Sequence, residues 1–78
     1  MRANRAYHLI ASRDRVAPAF LDEDRLDRIE VVSIDDGEVA MFWELPARDA
    51  SRLLRDLRTD LAGIDAEAFL DKWLPRSQ

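Results

Sequence analysis

The sequence predicts an α+β domain: a three-stranded antiparallel sheet followed by two C-terminal helices, in the order β-β-β-α-α. Three observations predict it. Ile29 to Leu45, IEVVSIDDGEVAMFWEL, reads as a β-hairpin turning at Asp36-Gly37. Ala6 to Ser12, AYHLIAS, is apolar and aromatic enough for one more strand. After Pro46, leucines recur at helical spacing, and a second apolar stripe follows Gly63.

Length sharpens this. At 78 residues the chain has room for a single small domain. A core of that size rarely contributes more than about 3–5 kcal/mol net, so small proteins often need a staple. There is no cysteine, hence no disulfide and no sign of an oxidising compartment. With one histidine and no cysteine there is no structural zinc cluster either. Oligomerisation is the remaining common device.

The elements follow in chain order. Arg2 and Arg5 lead into the first strand, whose natural neighbour is the hairpin. His8 is the only histidine. No placed acid or nucleophile accompanies it, so a strand histidine at a sheet edge is expected rather than a general base. Arg13 to Arg28, RDRVAPAFLDEDRLDR, is long for a connection in so small a domain. Pro18 argues against a helix through it. Val16, Phe20 and Leu21 are expected against the core. Asp22 is expected to open a short helical turn, with Leu26 and Ile29 pointing inward. Asp22, Glu23, Asp24 and Asp27 form an acidic cluster. Its spacing fails the calcium-loop pattern, and Arg25 and Arg28 interleave with it, so a solvated loop is expected and no metal.

In the hairpin, a two-residue turn at Asp36-Gly37 places Ile34 opposite Val39 and Val32 opposite Met41. One face then carries Val32, Ile34, Val39, Met41, Trp43 and Leu45, with Glu30 at its end, and is apolar enough to be a core. The other carries Ile29, Val31, Ser33, Ala40 and Phe42. A three-residue loop with Gly37 left-handed would shift the register by one and exchange the faces.

Pro46 suits the first turn of a helix over Ala47 to Ala62. Ala50, Leu53, Leu54, Leu57 and Leu61 form its apolar stripe. Arg48, Arg52 and Arg55 lie opposite, flanked by Asp49, Asp56 and Asp60, in the pattern of a solvated, self-paired face. Gly63 is expected as a left-handed terminator. Asp65 is expected as the next N-cap, with Ile64 and Phe69 at hydrophobic-staple spacing. Ala66, Phe69, Leu70, Trp73 and Leu74 form the second stripe, which Pro75 ends.

Charge excludes some functions. The net charge is −4. Residues 1–15 hold four arginines and one acid, residues 16–45 nine acids and two arginines. So acidic a middle disfavours non-specific nucleic-acid binding. Arginine outnumbers lysine eleven to one, the composition of a small bacterial protein from a GC-rich genome. No apolar run reaches the roughly 18 residues of a membrane span, and Tyr7 to Ala11 is too short for a signal-peptide core. A cytoplasmic location is expected. No glycine-rich phosphate loop, nucleophile elbow, thiol or HExxH is present, so neither an enzyme nor a cofactor is expected.

The functional expectation is a non-enzymatic protein–protein interaction module: an accessory or regulatory subunit that self-associates. The candidate partner-binding residues are Ile29, Val31, Ala40 and Phe42, since helices covering the other hairpin face would leave these in water. The alternative is a small DNA-binding regulator or antitoxin using the Arg48, Arg52 and Arg55 face.

Overall fold

A computed structural model describes residues 1–13 and 26–78. A helical turn, α1 (Ala3–Ala6), leads into β1 (Tyr7–Arg13). The hairpin strands are β2 (Leu26–Ser33) and β3 (Val39–Pro46). Two helices, α2 (Ala47–Gly63) and α3 (Ala66–Trp73), and a 3-10 turn (Leu74–Arg76) complete the chain. The sheet is antiparallel throughout, in the order β1-β2-β3. This is the expected α+β architecture with one addition, α1. The expected positions of Val16, Phe20 and Leu21, and the turn opened by Asp22, lie outside the described residues.

The hairpin register differs from the two-residue turn, and the difference exchanges the faces of β2. A two-residue type I′ turn needs positive φ at both central residues. Only Gly37 has it, at φ 73°. The loop is wider: Ser33 N–H donates to the Glu38 carbonyl at 2.8 Å, and Gly37 N–H donates to the Ser33 carbonyl at 2.9 Å. The Asp36 carboxylate accepts from Glu38 N–H at 2.9 Å, an Asx turn that holds the loop open. Val32 then pairs with Val39, but Val31 pairs with Met41. Ala40 is therefore an extra residue in β3, a bulge.

From Met41 onward the net displacement is one residue, which places Ile29 opposite Trp43 and Val31 opposite Met41 on the inner face. Ile29 and Val31 are 1% and 0% exposed. They are core, not interface. Ile34 and Val39, expected in the core, are 51% and 45% exposed. The physical reason lies in what each register buries. The two-residue register sends Glu30 inward with Val32 and Ile34. The observed one turns Arg28 and Glu30 outward and buries Ile29 and Val31, each worth about 1.5–3 kcal/mol. Asp27 is the buried acid on the inner face, at 8% exposure opposite Leu45. It belongs to a strand rather than to a solvated acidic loop.

The helices close over this inner face as their stripes predict, except at Leu74, which falls in the 3-10 turn and is 50% exposed. Ala50, Leu57 and Leu61 of α2 are buried, with Leu53 and Leu54 half-buried beside them. Phe69 and Trp73 of α3 are buried one turn apart. Tyr7 stacks on Phe69 with ring centroids 6.0 Å apart, and Trp43 meets Trp73 edge-on at 6.2 Å. These pairs join β1 and β3 to α3.

Gly63 is not the left-handed terminator that was expected. It is the last residue of α2, and Ile64 leaves the helix in extended backbone. Residues 1–3 do the capping instead. The Arg2 guanidinium donates to the Ala62 carbonyl at 3.0 Å, and Ala3 N–H to the Ile64 carbonyl at 3.0 Å. Orphan carbonyls at a helix end need such donors, whichever residue supplies them. Asp65 is the N-cap of α3 by position, but its side chain makes no cap bond.

Candidate protein interface

The outer sheet face is built by alternation from all three strands. Residues directly opposed across an antiparallel pair share a face. Its rows read His8–Val32–Val39, Ile10–Glu30–Phe42 and Ser12–Arg28–Glu44. No described helix packs on this side, since α2 and α3 cover Ile29, Val31, Met41 and Trp43 on the other. Ile10 is 41% exposed and Val39 45%, while Phe42 is half-buried. Val32 pairs with His8 and Val39 and is 5% exposed.

The charges on this face are gathered around one arginine. Arg28 Nη1 donates to Glu44 Oε1 at 2.9 Å, and its Nε lies 3.4 Å from Glu30 Oε2. Its guanidinium carbon sits 4.2 Å from the Phe42 ring centroid. One arginine thus bridges two carboxylates, leaving a single net negative charge, and covers an aromatic ring. Exposed aliphatic side chains therefore lie beside a bridged charge cluster on this face.

Of the four residues expected to bind a partner, the structure places two here. Phe42 stands in the middle row and Ala40 is exposed at the bulge. Ile29 and Val31 are in the core, because the bulge reverses the face of β2 relative to a two-residue hairpin. Ile10 and Val39 take their place. Ile10 was legible from the strand's alternation, since His8, Ile10 and Ser12 share one parity. Val39 depended on the register.

The other candidates are accounted for. His8 is exposed on the outer face, as a strand histidine. Tyr7 faces inward, stacked on Phe69. Arg48, Arg52, Arg55 and Arg58 are exposed along α2. The ion pair on that face joins Arg55 to its neighbour Asp56 at 3.7 Å rather than spanning a helical turn. Among the described residues, no group of three or more His, Cys, Asp or Glu is gathered as for a metal. No described helix is long and apolar enough to cross a membrane.

A groove of about 300 Å³ opens on the helical side, floored by Trp43, Leu45, Leu53 and Trp73. Asp49, Arg52, Asp56 and Arg76 rim it with alternating charge. Its indoles are already engaged. Trp43 Nε1–H donates to the Arg76 carbonyl at 2.8 Å, and Trp73 Nε1–H to Asp60 Oδ2 at 2.8 Å. Asp60 also accepts from the Lys72 ammonium at 2.7 Å. That bond, with smaller help from Trp73, holds the Asp60 carboxyl below the ordinary carboxylate value against the cost of its burial. These bonds hold α2, α3 and β3 together. Comparison with family models, curated proteins and solved structures finds no match to this chain.

Proposed function

We propose that this chain is a non-enzymatic protein–protein interaction module, an accessory or regulatory subunit that self-associates, with the outer sheet face as its contact surface. One observation carries the reading. Helices cover one face of the sheet, while Ile10 and Val39 stand 41% and 45% exposed on the other, beside Phe42. Apolar side chains grouped on a small protein mark a contact surface more often than a solvent face. So small a core also gains from assembly, and no cysteine or zinc cluster offers another staple. The lack of cysteine further supports a reducing, cytoplasmic setting.

Light scattering over a range of concentrations tests this. The native chain is expected above monomer mass, and Ile10→Asp at monomer mass with an unchanged circular dichroism spectrum. A native chain that is monomeric at every concentration overturns the proposal.

A further inference from the structure

The two edges of the sheet are treated differently. Along β3, residue 78 occupies the edge: Gln78 N–H donates to the Phe42 carbonyl at 3.0 Å, and its side-chain amide meets Glu44 N–H and C=O at 3.0 and 3.1 Å. Along β1, no described strand or tail pairs with the edge away from β2. Uncovered strand edges are templates for another strand, and proteins that stay monomeric blunt them.

The hydrogen-bond parity of β1 says which groups this edge offers. Ile34 N–H donates to the Ala6 carbonyl at 3.0 Å, and the β1–β2 register runs on from there without a shift. Directly opposed residues alternate between hydrogen-bonded and non-hydrogen-bonded pairs. His8, Ile10 and Ser12 therefore bond to β2, while Tyr7, Leu9, Ala11 and Arg13 aim their N–H and C=O groups outward.

We infer that a second copy of the chain pairs with this edge, β1 against β1 about a two-fold axis through Ile10, forming a continuous six-stranded antiparallel sheet. The inference rests on the self-association proposed above and moves its contact from the middle of the outer face to that face's β1 border, at Ile10. Ile10 is the central residue of Tyr7–Arg13, so this register uses the whole strand. It sets Leu9 against the partner copy's Ala11 and Tyr7 against its Arg13. All of these are outward-bonding residues, so about eight inter-chain backbone bonds form. Ile10 meets Ile10 as a non-hydrogen-bonded pair, the closer kind, so two exposed aliphatic side chains cover each other. His8 opposes Ser12, and no like charges face one another in the outer-face rows. The two outer faces merge into one row, Phe42–Glu30–Ile10 and its symmetry mate, with Phe42 far from the axis. That merged face is left for the protein the module serves.

Cysteine cross-linking reads the register directly, because the chain has no cysteine of its own. A non-hydrogen-bonded pair sets Cα atoms about 4.5 Å apart, within disulfide reach. Under a mild oxidant, Ile10→Cys is expected to convert to a covalent dimer. Ser12→Cys alone is not, since its two copies lie about 13 Å apart along the strand. A mixture of His8→Cys and Ser12→Cys is expected to cross-link. Leu9 and Ala11 amides are expected to gain exchange protection as concentration rises, and Phe42→Asp to keep the dimer mass. A native dimer that Phe42→Asp dissociates, with no Ile10→Cys cross-link, overturns strand pairing in favour of face-to-face packing and leaves the proposed function standing. A native chain monomeric at every concentration overturns both.

Discussion

Asp60 is the point at which the helical half of the molecule is most exposed to test. Its carboxylate accepts from the Lys72 ammonium at 2.7 Å and the Trp73 indole at 2.8 Å, tying α2 to α3. Asp60→Ala removes both bonds. The Lys72 side chain is 46% exposed, so its share falls in the surface range of about 0–1 kcal/mol. Trp73 is 4% exposed, and stranding its buried N–H costs about 1–3 kcal/mol. The expected loss is about 2–3 kcal/mol, or a Tm about 10 °C lower or more in a domain of this size. Asp60→Asn keeps an acceptor for the indole and loses the charge, so about 1 kcal/mol is expected. The pH dependence separates the two contributions. The folded carboxyl titrates below its ordinary value of 3.8, so its charge stabilises the fold above that value. That contribution disappears as pH falls through the folded value. The gap between the native chain and Asp60→Asn, measured by urea unfolding with tryptophan fluorescence, is therefore expected in full near neutrality. It should close in strong acid. A gap that is the same at both ends of the pH range, or an Asp60→Ala chain as stable as the native one, refutes this account of the junction.

Further outcomes follow from the same structure. Phe69→Ala empties a fully buried site that stacks on Tyr7 and abuts Trp73. A cost of about 3–5 kcal/mol is expected, which leaves little of the domain's stability, and a cooperative native-like thermal transition would count against the core described. Gly37→Ala meets no atom within 4 Å but must hold φ at +73°, so a loss of about 1–2 kcal/mol without change of fold is expected by calorimetry. Arg2→Ala removes the donor to the Ala62 carbonyl. A loss of about 1 kcal/mol is expected, with faster amide exchange at Ile64 and Asp65 if residues 1–3 cap that helix end.

The fold was legible in the sequence wherever a local signal had no competitor. The leucine stripe of α2 and the Phe69 and Trp73 spacing of α3 predict which side of each helix is buried, because helical period and burial coincide there. The hairpin was legible as an element but not in register. Asp36-Gly37 satisfies the rule for a two-residue turn, yet Asp36 caps Glu38 instead, and the bulge at Ala40 then resets the pairing. One residue of slip moved Ile29 and Val31 from expected interface to core and sent Val39 the other way. Alternation within a strand is readable from sequence; the absolute face depends on a loop geometry with several solutions. The Gly63 expectation failed for a related reason. The donor that closes α2 comes from Arg2, sixty residues away, and no local pattern announces it. Nothing in the chain's motifs pointed to residue 78 docking along β3 rather than β1 either, since no local pattern announces it.

The central claim is that the hairpin has one face for the core and one for a partner, with the second copy met beside Ile10. Solution mass and secondary structure measured together on Ile10→Asp and Val31→Asp test it most directly. The expected result is a native chain at twice the monomer mass, Ile10→Asp folded at monomer mass, and Val31→Asp unfolded. A native chain at monomer mass throughout, or a Val31→Asp chain that folds as well as Ile10→Asp, contradicts it.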